Sequence, residues 1–200
     1  GSLEIDQPIN RVEAYDNSHT FGKNSVGVMI VADKEGLSTK NYRKFNIRYD
    51  LREKKISSVD DYYMMEEVLN RRLAKINQSE RELIPDVIII DGGRGQYNSV
   101  NKILNKFKIK NIELLSVSKG PNRNAGREII HIKNKNLNLK PNDPLLNFIQ
   151  RLRDEAHRFA ITAHRSRRSK SSIKSIFDEI KGIGPKRKKD LLLHFGTIQK

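Results

Sequence analysis

The order of apolar and polar residues changes period several times along the chain. Val87–Ile90 is four consecutive apolar β-branched residues, the pattern of a strand buried on both faces. The run stops at Asp91, Gly92-Gly93 turn the chain, and a helical pattern begins near Gly95 and continues through Gln96–Phe107. Upstream, Arg11–Asp16 reads as a short strand ending in Asp16, and Ser25–Ala32 as a buried strand. DKEG at Asp33–Gly36 is a hairpin-type turn. Tyr42–Tyr49 alternates, with Phe45, Ile47 and Tyr49 on one side and Lys44, Asn46 and Arg48 on the other, as in a half-exposed strand. These three strands form an antiparallel meander. Ser58–Ile76 carries Met65, Val68, Leu69 and Ile76 at helical spacing with acids at its start.

Ile112–Ser118 is a further strand, Lys119–Gly126 a loop, and Glu128–Ile132 one arm of a small hairpin. LNLKPNDP (137–144) reads as a linker before a long helix over Pro144–His164, with a stripe of Leu145, Ile149, Leu152, Ala156, Phe159 and Ala163. A meander followed by alternating helices and strands predicts an α/β fold, a mixed five-stranded sheet flanked by helices on both faces. Residues 3–164 would form that domain. Residues 165–172, RSRRSKSS, read as a basic linker and 173–200 as a small helical appendage.

Composition narrows the partners. The 200 residues carry a net charge of +15, a surplus that favours a polyanion. No apolar run approaches the roughly 20 residues of a membrane span, so nucleic acid is preferred over a lipid surface. The absence of cysteine excludes disulfides, zinc-thiolate sites and Cys nucleophiles, and suits a reducing compartment. Gly1-Ser2 without an initiating Met reads as a cloning scar, so a piece of a longer protein is expected. GGRGQ matches neither the phosphate-loop nor the GxGxxG pattern, and there is no GxSxG. Hydride transfer, nucleotide hydrolysis and acyl transfer have no residues to stand on.

Three clusters could carry chemistry: Asp16 with Ser18 and His19, Asp91, and Arg153–Arg158 on the long helix. Strands one and four are neighbours in a meander-first mixed sheet, which sets Asp16 beside Asp91 at one sheet edge. Two such carboxylates repel unless a cation separates them, and a hard divalent ion with oxygen ligands is the natural occupant. The plainer alternative makes Asp91 a helix cap. His157 borders the apolar stripe and can face the same edge; its plainer alternative is a partly buried imidazole bonded to Asp154. His19 is open between a site-supporting group, a DNA contact and a loop residue. Asp60-Asp61 fits an ordinary helix start. Lys119, Arg123 and Arg127 follow strand five and would hold phosphate. In the appendage, GIGPKRKK places Gly182 and Gly184 in a tight turn before a helix begun by Pro185, an anion site ringed by Lys186 and Arg187. That is a helix-hairpin-helix pattern of sequence-independent duplex binding.

EAYDNSHTFG, YRKFNI, DDYYMMEEVLNRR, PDVIIIDGGRGQ, SVSKG, RDEAHRFAITAHR and IKGIGPKRKKDLLLHFG occur in the order seen in the carboxyl-terminal half of the bacterial excinuclease subunit UvrC family, which nearly the whole chain resembles. The resemblance implies an RNase H-like endonuclease domain with the first of two helix-hairpin-helix motifs. It implies a cytoplasmic bacterial DNA repair nuclease that makes the 5′ incision at damaged double-stranded DNA, partnered by UvrB with UvrA upstream. The family's catalytic carboxylates fall on Asp16 and Asp91, a further aspartate on Asp61 and a histidine on His157. Asp16, Asp91 and His157 would hold Mg²⁺ or Mn²⁺, with His157 either completing the metal shell or handling a proton. One ion is expected rather than two, since a histidine stands where many relatives of the fold carry a carboxylate. The N-terminal 3′ nuclease, the main UvrB-binding segment and the second hairpin are expected to be missing. The rival readings are another RNase H-like nuclease, such as a junction resolvase or an RNA–DNA hybrid hydrolase, and a non-catalytic DNA-binding module.

Overall fold

The computed structural model describes residues 8–18, 25–47, 61–78, 83–109, 111–118 and 128–179, together with Gly184 and Arg187. It forms two compact units, Gly1–His164 and Arg165–Lys200. The first is built on one mixed sheet. Its strands are β1 (Arg11–Ser18), β2 (Val26–Asp33), β3 (Gly36–Leu37), β4 (Arg43–Asn46), β5 (Val87–Asp91), β6 (Glu113–Ser118), β7 (Ile129–Ile132) and β8 (Lys135–Asn138). They run in the order β3-β2-β1-β5-β6-β7-β8, with β4 also pairing β2. Among the described residues, eight strands replace the expected five. The additions are short: β3 is two residues long, and β8 takes Leu137 and Asn138 from the expected linker. Asn134 at φ 61 supplies the left-handed residue that turns β7 back into β8.

The central pairing decides the site. β1 runs antiparallel to β2 and parallel to β5, and β5 runs parallel to β6. Asp86 fixes the start of the β1–β5 pair. Its Oδ2 accepts from the backbone N–H of Asn10 at 2.7 Å and of Arg11 at 2.8 Å, and its own N–H donates to the Arg11 carbonyl at 2.9 Å. The registered partners then run from Val12↔Val87 to Tyr15↔Ile90.

Side chains alternate across a strand, so each face gets its own set. Tyr15, Ile88 and Ile90 pack with Met64, Met65, Leu69 and Leu73 of α1 (Asp61–Gln78) and Val100 and Leu104 of α2 (Arg94–Phe107). Val12, Ala14, Val87 and Ile89 turn the other way, against Ile149, Leu152 and Ala156 of α3 (Pro144–Glu179). The unit is therefore three layers, with α1 and α2 on one face and α3 on the other. Each fully buried isoleucine of β5 contributes roughly 1.5–3 kcal/mol by leaving water. Gly27 of β2 lets α1 approach closely, because a Cβ there would lie 2.3 Å from Val68 Cγ2.

α3 begins where its sequence says it should. The backbone N–H of Leu145 donates to the Asp143 carboxylate at 2.9 Å, and Pro144 occupies the first helical position, where a missing N–H costs nothing. The end differs from the sequence reading. Residues 165–172, expected as a linker, are helical and α3 runs to Glu179, because RSRRSKSS contains no Gly or Pro to stop a helix. Of the expected hairpin appendage, Gly184 and Arg187 are described, both exposed; the rest lies outside the described residues.

Candidate active site

Period two carries the fold's geometry to the site. Asp16 follows Val12 and Ala14 on the α3 face, and Asp91 follows Val87 and Ile89 on that same face. Since Tyr15 is registered with Ile90, the two aspartates come next, side by side, at the carboxyl ends of two parallel strands. That edge is where ligands bind in sheets of this kind. Gly92 and Gly93 then turn the chain into α2. Gly92 has φ +147, and a Cβ there would lie 2.2 Å from Gln96 Oε1, so a side chain is excluded beside Asp91. The Ser116 hydroxyl on β6 holds the turn, with Oγ 2.6 Å from the Gly92 carbonyl and 3.0 Å from that of Gly93.

Opposite this edge lies α3. A cavity of about 220 Å³ is lined by Asp16, Asp91, Arg153, Asp154 and His157, with Ala14, Tyr15, Ile89 and Ala156 as its floor. His157 Nδ1 stands 3.2 Å from Asp16 Oδ2. An ionised carboxylate accepts, so Nδ1 is the donor in this contact. This differs from the plainer sequence alternative, in which Asp154 was the partner and the ring was partly buried; the His157 side chain is 72% exposed. Burial lifts the Asp16 carboxyl above its usual range, and the charge of Asp91 adds to the lift. Hydrogen bonds from the Asn17 backbone and from His157 oppose it. Asp91 is half exposed and pairs with Arg153, Nε to Oδ1 at 3.4 Å.

The helix face is set by a contact from outside the helix, which helical spacing does not reveal. Tyr42 donates to Glu155 Oε1 at 3.2 Å and packs edge-on against Phe159, centroids 5.1 Å apart. Burial and the Glu155 charge push its hydroxyl up to about 12. Glu155 in turn accepts from Arg158 at 2.7 and 2.8 Å. A tyrosine ahead of β4 thus fixes the turn of α3 that carries His157. Arg153 was visible in RDEAHR, one helical turn before His157, but nothing in the spacing named its partners.

Of the expected site residues, Asp16, Asp91 and His157 meet at one cavity. Asp61 opens α1 and stands outside that lining. Lys119, Arg123, Arg127, Gly182 and Lys186, like His19, lie outside the described residues. The donors suit a hard divalent ion held sparingly. Two carboxylates face one space, and burial disfavours the bare charge of Asp16, a cost that a cation relieves. Among the described residues no cluster of three or more His, Asp or Glu is arranged to hold a metal. In this arrangement His157 Nδ1 faces Asp16 Oδ2. Mg²⁺ is commonly bound by one or two carboxylates, with water and substrate phosphate completing its shell.

A family model described as the UvrC RNase H endonuclease domain matches residues 1–161. Among curated proteins, the UvrABC system protein C of Zymomonas mobilis is 49% identical over 202 residues, 98% of this chain and 30% of that protein. That of Paramagnetospirillum magneticum is 50% identical over 194 residues, covering 94% and 30%. The chain thus spans about 30% of the length of the curated relatives it matches. Among solved structures, endonuclease V of Ciona intestinalis is similar at a TM-score of 0.40 and 13% identity, over 56% of this chain and 46% of that one. Argonaute of Marinitoga piezophila gives 0.34 and 17%, over 62% and 19%.

Proposed function

Given that the chain belongs to the UvrC RNase H endonuclease domain family, we propose that it is a divalent-metal-dependent endodeoxyribonuclease domain of nucleotide excision repair. The observation that carries this reading is the parallel register of β1 and β5, which sets Asp16 beside Asp91 at one cavity facing His157. The reaction is hydrolysis of a DNA phosphodiester, making the 5′ incision at damaged duplex, in the bacterial cytoplasm. UvrB, with UvrA upstream, is the partner of the longer protein. No helix among the described residues is long and apolar enough to cross a membrane.

Asp16 and Asp91 would hold Mg²⁺ or Mn²⁺. Such an ion polarises a phosphate and acidifies bound water. The protein's own contribution is placement. β1 and β5 hold the carboxylates on rigid, doubly paired strands. Gly93, where a Cβ would meet nothing within 4 Å, leaves backbone room for a phosphate near Asp91. His157, oriented by Asp16 through Nδ1, presents Nε2 to take or return a proton. Asp61 stands outside the cavity and takes no part in this reading. Lys119, Arg123, Arg127 and the Gly182–Arg187 hairpin would bind phosphates without reading bases.

The test is cleavage in Mn²⁺ of bubble, junction and RNA–DNA hybrid substrates by the wild type and by Asp91→Asn. We expect nicking of the bubble at its duplex border and loss of nicking in the variant. Unchanged nicking in Asp91→Asn would remove the metal-site argument and leave a DNA-binding module. Preference for the junction or the hybrid would instead point to the rival nuclease classes.

A further inference from the structure

Two residues stand beside the cavity with no part in the chemistry above. Arg153 is the sole Lys or Arg among the described residues lining it, and its side chain is 17% exposed. The guanidinium lies between two acids. Nε is 3.4 Å from Asp91 Oδ1, and Nη1 is 3.6 Å from Glu128 Oε1. Glu128, just ahead of β7, is nearly buried, and its Oε2 accepts from Gln150 Nε2 at 3.0 Å. Gln150 precedes Arg153 by one helical turn on α3. Glu128 is therefore fixed in place, whereas Asp91 is half open to solvent.

Both Arg153 contacts exceed the roughly 2.7–2.9 Å of a well-made charge-assisted hydrogen bond. Arg72 on Glu13 and Arg158 on Glu155 each close to 2.7 Å, whereas the Arg71–Glu67 pair stands at 3.4 Å. Arg153 is instead shared between two carboxylates and seated on neither. A mostly buried guanidinium needs an anionic partner wherever it goes, because leaving it unpaired is costly. Glu128 is such a partner, within reach and held still.

We infer that Arg153 is the resident counter-ion of Asp91, that it competes with the divalent cation for that carboxylate, and that Glu128 is the second seat that receives the guanidinium when the cation binds. The inference rests on the reading that Asp91 helps to hold a divalent ion. A guanidinium 3.4 Å from a carboxylate opposes a second cation there; moving it toward Glu128 keeps it paired and clears Asp91. The arrangement tunes the ion affinity from a residue that need not touch the ion.

Mn²⁺ alone, without DNA, is the probe. Free Mn²⁺ is followed by electron paramagnetic resonance during titration of the full chain, for the wild type and for Arg153→Gln, Arg153→Lys, Glu128→Gln and Asp91→Asn. Arg153→Gln should bind Mn²⁺ more tightly, by about three- to tenfold, the effect of removing one competing ion pair. Glu128→Gln should weaken binding by a similar factor, because Asp91 is then the one acid left to the guanidinium. Arg153→Lys, which keeps the charge, should stay near the wild type. Unchanged or weaker binding in Arg153→Gln overturns the inference, as does unchanged or tighter binding in Glu128→Gln. Should Arg153→Gln fail to fold, Glu128→Gln decides by the direction of its change. A wild type whose Mn²⁺ binding is insensitive to Asp91→Asn would overturn the metal reading itself, a different result from either.

Discussion

Asp16 sits where its own charge is disfavoured. Burial and then Asp91 hold its carboxyl above the ordinary range, so the folded protein keeps that proton to higher pH than the unfolded chain does. Wherever the native state binds more protons, stability falls as pH rises. Asp16 therefore costs the native state stability progressively from the ordinary aspartate range upward, until it is ionised in the folded protein. Asp16→Asn has no such titration. Its melting temperature relative to the wild type should climb between about pH 3.8 and neutrality, while nicking is lost. Thermal melts of the two proteins across that range check the slope. Asp91 was legible in the sequence because an apolar strand that stops at a lone acid marks a sheet end; Asp16 was placed at a strand end too, though β1 runs two residues further, to Ser18. Their company was less legible. His157 bonds Asp16, 141 positions away, not Asp154 three positions before it. The Glu128–Arg153 contact likewise joins a strand start to a helix, which helical spacing cannot reveal.

At the scale of elements, a buried ion pair ties α1 to the strand that carries Asp16. Glu13 is fully buried and accepts from Arg72 at 2.7 and 3.2 Å, from Arg11 at 2.9 Å and from the Tyr15 hydroxyl at 2.6 Å. Arg72 also donates to the Leu83 carbonyl at 2.8 Å. Arg72→Met removes one partner and leaves Glu13 short of charge in the interior, which should destabilise the protein by about 3–5 kcal/mol. Urea unfolding of the variant measures it. The sequence shows Glu13 as a polar residue between Val12 and Ala14, and a half-exposed strand would read the same; only the helix on that face makes it interior. β5 and α2 were legible for the opposite reason, since four apolar β-branched residues and a glycine turn leave little choice. α3 overran its expected end because charge and serine alone do not terminate a helix. β8, with the sequence KNLN, has no pattern to betray it and exists because β7 offers an edge to pair with.

Taken whole, the molecule carries a net charge of +15, a property of the chain rather than of any one lysine. Under the proposed function its affinity for duplex should fall linearly in log–log salt. If six or more phosphates are contacted, the loss between 50 and 200 mM is on the order of 10³-fold or more. Fluorescence anisotropy of a labelled duplex at several salt concentrations measures the slope, and a flat response would disconnect the charge from nucleic acid.

The β1–β5 pair has a further consequence, in folding order. Arg11 and Asp86, hydrogen bonded at one end of the pair, are 75 positions apart in the chain, and Asp16 and Asp91 keep that separation at the other end. Parallel strands cannot meet through a tight turn; the connection must cross over, and contacts so distant in sequence form slowly. The two carboxylates therefore come together only once the long connection between the two strands has closed. A chain in which that connection has not closed contains both acids and no site. Under the proposed function, topology alone withholds a DNA-cutting centre from a molecule that has not finished folding.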